Sequence, residues 1–239
     1  MKPVLLNPAF KDYLWGGTRL KTDFNKKSDL DIVAESWELS THPAGESTVA
    51  SGEYAGLTLS AYIEKIGKEY LGKNALAFDY FPLLIKFIDA KKDLSIQVHP
   101  NDEYAKEHEG EYGKTEMWYI LDCEEGAYLY YGFNRVISKE EYRQRIADNT
   151  LIEVLNRVPV KKGDVFFIEA GTVHAICSGI VICEIQQNSN TTSRVYDYDR
   201  RDANGNTRPL HIEQAIAVSN LCPPPAHTEK STAGDCTLS

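Results

Sequence analysis

The 239-residue chain has no apolar run approaching the roughly 18 residues that a membrane-spanning helix requires. Its opening, Met1 to Pro8, breaks after Val4, Leu5 and Leu6 and offers no apolar centre for a signal peptide. The expectation is a protein that is neither exported nor held in a membrane. Positive charge is also scarce: 26 basic side chains face 35 acidic ones, for a net charge of −9, and no Lys/Arg-rich stretch stands out. That argues against nucleic acid as a partner, because phosphate-backbone binding normally needs a clustered basic footprint. It does not exclude a small phosphorylated molecule, which a few inward-facing cations can serve. Paired cysteines are missing as well. The five present, Cys123, Cys177, Cys183, Cys222 and Cys236, are odd in number and form no CxxC, which argues against a disulfide framework and a thiolate zinc site. A reducing cytoplasm fits best, with Cys177 and Cys183 as small apolar filler in strands. No internal repeat is visible.

Helical signals are few. Leu59 to Leu71 carries apolar residues near helical spacing behind Thr58 and Ser60, and Ser138-Lys139-Glu140-Glu141 opens a second helix with a capping-box pattern. These predict helical insertions over about 58–72 and 138–155, with shorter pieces at 102–109 and 211–218. The segments 82–88, 94–99, 116–121, 127–133, 164–169, 173–177, 180–187 and 194–198 are β-branched or aromatic and predict strands. Many short strands with Gly-rich turns imply a mainly β fold, a sandwich or jelly-roll barrel with a few inserted helices. One domain is expected over 1–220. From Leu221 the chain loses periodicity and runs through Pro223, Pro224 and Pro225, predicting an irregular or disordered tail over 221–239.

Three segments carry donors suited to chemistry. In Asp93-Leu94-Ser95-Ile96-Gln97-Val98-His99, alternation puts Leu94, Ile96 and Val98 on one face and Ser95, Gln97 and His99 on the other. Gln97 and His99 would then offer a metal two neighbouring ligands, although alone the segment reads better as a strand with a wet polar face. His174 follows the small-residue turn Ala170-Gly171-Thr172 among apolar neighbours, so its imidazole needs a partner. A core histidine bonded to a carbonyl satisfies that need equally well. The Gly163-Asp164 to Ala170-Gly171-Thr172-Val173-His174 pattern, however, resembles the second motif of cupin barrels, in which the histidine ligates a metal. Glu116 opens an apolar strand, where a solvent-facing carboxylate would also be ordinary. As a ligand it would complete a Gln/His/Glu/His donor set with one negative charge, suited to Zn²⁺. Lys86 interrupts Leu83-Leu84-Ile85-Lys86-Phe87-Ile88; an ammonium there lies on a sheet edge or, the preferred reading, faces an anion.

Six motifs occur in order: Leu14-Trp15-Gly16-Gly17; Glu35-Ser36-Trp37-Glu38-Leu39-Ser40 with Thr41-His42-Pro43; Leu94 to Pro100; Gly113-Lys114-Thr115-Glu116-Met117-Trp118; Ala170 to His174; and Glu184 to Asn188 followed by Arg194-Val195-Tyr196-Asp197. Together they resemble the type I mannose-6-phosphate isomerases of the short bacterial form, from about Asn7 to about Asn220. The resemblance implies a cupin-like catalytic domain. Its activity would be zinc-dependent aldose-ketose isomerisation, interconverting mannose 6-phosphate and fructose 6-phosphate through an enediolate. It implies one zinc ion per chain on Gln97, His99, Glu116 and His174, an active-site Arg194, and a sugar-phosphate pocket lined by Ser95, Lys86, Lys114 and Trp15. Without it, Arg194 reads as a surface arginine at a loop-to-strand junction.

The pattern departs at two places where some relatives carry a candidate proton-moving base: this chain has Gly113 and Asn190. Glu184, which alternates with Ile182 and Gln186 and matches a family carboxylate, is the expected base, with a paired structural carboxylate as the alternative. Relatives usually continue into further strands beyond 211–220. Their absence would leave an uncovered edge or apolar surface, and a homo-oligomer could cover it. Two other functions remain open on sequence: a sugar-phosphate-binding module without turnover, and another metal cupin such as a dioxygenase, which the glutamine-containing ligand set does not match.

Overall fold

The structure, a computed structural model, describes residues 3–198, 200–201 and 204–225. Its strands are β1 (Leu6–Asn7), β2 (Ala9–Lys11), β3 (Glu35–Leu39), β4 (Thr48–Val49), β5 (Leu83–Ala90), β6 (Ile96–Val98), β7 (Glu116–Cys123), β8 (Tyr128–Phe133), β9 (Leu155–Pro159), β10 (Val165–Ile168), β11 (His174–Ile176), β12 (Ile180–Gln187) and β13 (Ser193–Tyr196). The α-helices are α1 (Arg19–Thr22), α2 (Leu59–Ile66), α3 (Asp102–His108), α4 (Lys139–Ala147) and α5 (Ile212–Val218). The strands form a six-stranded sheet ordered β10-β7-β12-β5-β3-β2, a five-stranded sheet ordered β13-β6-β11-β8-β9, and a β1-β4 pair. Pairing is antiparallel throughout.

The two large sheets face each other because alternation gives each a buried inner surface. Ile88, Trp118, Ile120, Phe166 and Ile182 of the larger sheet share one core with Leu129, Tyr131 and Ile176 of the smaller. The smaller sheet is buried on its other face too: Ile96, Val98, Phe133, Ala175 and Val195 pack with Tyr142 and Ile146 of α4 and Ala215 and Ile216 of α5. Full burial of each large apolar side chain contributes about 1.5–3 kcal/mol. The helices therefore complete a second core rather than decorating a barrel. α2 and α4 begin where their cap residues lie: Thr58 Oγ1 accepts from the Ala61 amide at 3.3 Å, and Ser138 Oγ from the Glu141 amide at 3.1 Å.

The mainly β fold with inserted helices is thus as expected. The short strands β1 to β4, strand β9 and helix α1 carry too little local pattern to be read from sequence. Of the expected tail, Leu221 packs on the α4/α5 core and accepts from the Ile137 amide at 3.1 Å. Residues 226–239 lie outside the described part. No helix among the described residues is long and apolar enough to cross a membrane. Cys123, Cys177, Cys183 and Cys222 are free thiols; Cys236 falls outside the described residues.

Candidate functional site

Strand phase brings three of the four expected metal ligands together. Glu116 opens β7, His174 opens β11, and His99 follows the last residue of β6. All three are about 1% exposed, and one donor atom from each lies within 4.8 Å of the others. The backbone sets the orientation of both imidazoles: His99 Nδ1–H donates to the Thr191 carbonyl at 2.9 Å, and His174 Nδ1–H to the Thr172 carbonyl at 2.8 Å. Each ring therefore presents an Nε2 lone pair to Glu116, at 3.3 Å for His99 and 3.8 Å for His174. His174 Nε2 is buried without a hydrogen-bond partner, the signature of an atom awaiting a cation or a proton donor. Gln97, the fourth expected ligand, sits between Ile96 and Val98, which face the helices, so it faces inward. Its Cα is opposite those of His174 and Arg194.

Protonation suits a metal. Burial, with the Lys114 charge beside it, pulls His99 down to about 3, and burial also lowers His174. Burial opposes ionisation of Glu116, yet the Lys114 ammonium and His99 hold it well below the usual carboxylate range. The set at neutral pH is two neutral imidazoles and one carboxylate, the forms in which these residues ligate metals. The ammonium of Lys114 stands against this set, 2.7 Å from Glu116 Oε1 and 3.2 Å from His99 Nε2.

Beside it, one transverse row of inward-facing residues crosses the larger sheet. The register pairs Trp37 with Lys86, Lys86 with Glu184, and Glu184 with Trp118. Lys86 Nζ lies 3.6 Å from Glu35 Oε2 and 3.5 Å from Glu184 Oε1, and 4.8 Å above the Trp37 ring. Burial would strip this lysine of its proton, but Glu35 and Glu184 outweigh it and hold its pKa above the ordinary value. Glu184 is pushed up to about 7, first by burial and then by the Glu116 charge. The indole Nε1 of Trp118 is 3.0 Å from both Glu116 Oε2 and Glu184 Oε2, linking the row to the metal-type cluster.

The remaining expected residues are more dispersed. Ser95 is buried immediately before β6. Trp15 belongs to the inter-sheet core and lines a cavity with Tyr13, Arg200, Arg208 and Pro209. Arg194 faces inward from β13, its Nη1 donating to the Pro209 carbonyl at 3.1 Å while its buried Nε has no hydrogen-bond partner. Burial, then the neighbouring Arg208 charge, lowers its basicity.

Sequence reasoning gave no role to Glu35, Trp37, Trp118 or Thr191. The first three stand inside quoted motifs, but their contacts depend on which strands become neighbours. Gly113 has a packing reason to be glycine: an added Cβ would lie 2.4 Å from the Asn101 carbonyl carbon and 2.5 Å from the Asp102 nitrogen. Gly16 is equally constrained, since its Cβ would lie 2.3 Å from that of Ala34.

Comparison with known proteins gives a consistent result. Residues 4–127 match the description "Phosphomannose isomerase type I, catalytic domain". The mannose-6-phosphate isomerase ManA of Bacillus subtilis (strain 168) is 48% identical over 218 residues, covering 91% of this chain and 68% of that protein. A crystal structure of the mannose 6-phosphate isomerase from Bacillus subtilis superposes with a TM-score of 0.89 at 42% identity, over 97% of this chain and 73% of that one. A zinc-bound mannose 6-phosphate isomerase structure shares the fold, with a TM-score of 0.70 at 21% identity over 92% of this chain and 75% of that one. With this fold, a buried His/Glu/His cluster on the expected strands and these relatives, the chain belongs to the type I phosphomannose isomerase family.

Proposed function

We propose that this protein is an aldose-ketose isomerase that interconverts mannose 6-phosphate and fructose 6-phosphate through an enediolate, using one zinc ion per chain in the cytoplasm. Family membership and the free thiols support the activity and the compartment. The observation that carries the reading is the pairing of a buried metal-type cluster with a second carboxylate, Glu184, whose environment keeps a proton within reach at neutral pH.

The residues fit a zinc ion. His99, Glu116 and His174 supply N and O donors in the required protonation states, the orphaned Nε2 of His174 is explained, and inward-facing Gln97 supplies a neutral oxygen. Lys114 would give up its place against Glu116 and His99 to the ion. When bound, the ion supplies Lewis acidity toward the substrate's C1 and C2 oxygens.

The other work falls to side chains. Glu184 takes the proton from C2 and returns it to C1, while the hydroxyl proton passes from O2 to O1. The Lys86 ammonium, 3.5 Å from Glu184, holds the carboxylate in place and steadies its anionic form. Arg194, with an unpartnered Nε, stabilises negative charge developing on the enediolate oxygens. Ser95, Lys86, Lys114 and Trp15 line the sugar-phosphate pocket.

The test is a coupled assay of mannose 6-phosphate conversion to fructose 6-phosphate, before and after chelation and after zinc is restored. Turnover lost with the metal and regained with zinc is expected. Sugar-phosphate binding with no fructose 6-phosphate formed would instead identify a binding module, and turnover that survives thorough metal removal would exclude the metal-dependent reading.

A further inference from the structure

We propose that the phosphoryl group of the substrate is anchored by Arg200 and Arg208, in the cavity between residues 12–15 and 206–209, rather than by the buried lysines. This rests on the isomerase reading above and names the group that holds the far end of its substrate.

Access is the first argument. Lys86 and Lys114 are only 3% and 5% exposed, and Lys86 is committed to Glu35 and Glu184. A bulky phosphate dianion therefore has little access to either ammonium. The cations around β13 are more open: the side chains of Arg200 and Arg208 are 20% and 35% exposed. Arg194, Arg200 and Arg208 lie close enough for the last two to depress the basicity of the first, a gathering of positive charge that suits an anion.

Geometry is the second. Asp197, only 6% exposed, acts as a buttress behind the cavity: Arg200 Nη2 donates to its Oδ1 at 2.6 Å, and Arg208 Nε and Nη2 donate to Oδ2 and Oδ1 at 2.8 and 2.5 Å. Arg200 Nη1 is tied further to the Asp93 carbonyl at 2.5 Å. Both forks are thereby held in place before a ligand arrives, which lowers the ordering cost of binding. Arg208 keeps its Nη1 group without a hydrogen bond among the described residues, on a side chain that is 35% exposed. A guanidinium held in this way directs the Nη1 side of its rigid fork at a phosphate oxygen, a fixed geometry that a flexible lysine would not supply.

Position is the third. The cavity has a volume of about 380 Å³, and Tyr13 and Trp15 line it together with the two arginines. Trp15 reaches into the inter-sheet core, and Tyr13, whose ring is 5.6 Å from it, lies within electrostatic range of Glu35 and Lys114. Arg194 bonds the Pro209 carbonyl at the cavity wall while its Cα sits opposite Gln97. The cavity therefore adjoins the proposed chemistry, as required for a substrate whose phosphate is several carbons from the reacting ones.

The test compares wild type with Arg208→Gln and Arg208→Lys in the zinc-loaded enzyme, measuring KM for mannose 6-phosphate, competitive inhibition by inorganic phosphate, and the preference for mannose 6-phosphate over mannose. Loss of one charge-assisted contact predicts a rise of roughly 10- to 100-fold in KM and in the phosphate inhibition constant for Arg208→Gln. The preference for the phosphorylated sugar should narrow by a similar factor. Arg208→Lys, which keeps the charge and fills the same space, should fall between them and guards against a folding defect. An active wild type whose Arg208→Gln variant keeps its KM and phosphate affinity overturns the anchor. An inactive wild type overturns the isomerase reading instead. In that case inorganic phosphate binding by calorimetry, present in wild type and weakened in Arg208→Gln, still supports the anchor, and equal binding in both overturns it.

Discussion

Glu116 and Glu184, on adjacent strands, share one hydrogen atom: the indole N–H of Trp118 lies 3.0 Å from an oxygen of each. Their surroundings push them apart in acidity. Lys114 and His99 hold Glu116 ionised against its burial, whereas burial and the Glu116 charge push Glu184 up to about 7. Two carboxylates so separated can divide the labour, one holding a cation and one moving a proton.

The first prediction is a pH profile. As a base Glu184 must be ionised, so kcat/KM should fall as pH drops through about 7, and a bound cation that neutralises Glu116 should move that limb lower. Glu184→Gln should lose about 10²- to 10⁴-fold in kcat while keeping its metal. The stability sign is opposite. The folded pKa is raised above the ordinary 4.5, so Glu184's contribution is present below that value and lost as pH rises through about 7. Glu184→Gln should therefore gain stability relative to wild type between pH 5 and pH 8, measured by urea unfolding.

Trp118→Phe keeps the ring packing and removes the shared donor. Loss of a hydrogen bond to the ionised form raises a carboxyl pKa, so the acid limb should move to higher pH in this variant. Stability should drop by about 1.5–3 kcal/mol. A limb that stays in place would separate Glu184 from the proton transfer.

Metal removal should lower the melting temperature as well as activity, because an ion that binds only the folded state stabilises it. At a thousandfold excess over Kd the gain is about 4 kcal/mol. Elemental analysis should find one zinc per chain in wild type, and His174→Ala should lose both the metal and the zinc-dependent rise in melting temperature.

Lys86→Met should leave Glu35 and Glu184 buried without their cation. Breaking a buried ion pair from one side costs about 3–5 kcal/mol, readable as a lower urea midpoint at neutral pH. Adding Glu35→Gln to that variant should recover part of the loss, which simple damage to packing would not allow.

Gly113→His would place in this chain the residue type that some relatives carry there. With a Cβ 2.4 Å from the Asn101 carbonyl carbon, it should cost about 1–3 kcal/mol and displace Lys114 rather than add a base. Thermal unfolding together with KM would show both effects; higher turnover at unchanged stability would contradict this assignment.

How much of this was legible beforehand follows from the range of each interaction. Alternation is a property of neighbouring residues, so the sequence by itself determined that Gln97 opposes Ile96 and Val98, that Glu184 shares a face with Ile182 and Gln186, and that Thr58 and Ser138 begin helices. The ordered motifs determined the family. The tertiary structure alone decided that β3 lies beside β5 and β5 beside β12, which turned an isolated Lys86 into the partner of Glu35 and Glu184. It also decided that Thr191 would orient His99, that Asn101 would leave no room for a side chain at Gly113, and that Arg200 and Arg208 would meet over Asp197 beside Tyr13. Strand order is set by the summed packing of two sheets against each other and against α4 and α5. No local stretch of sequence encodes that sum.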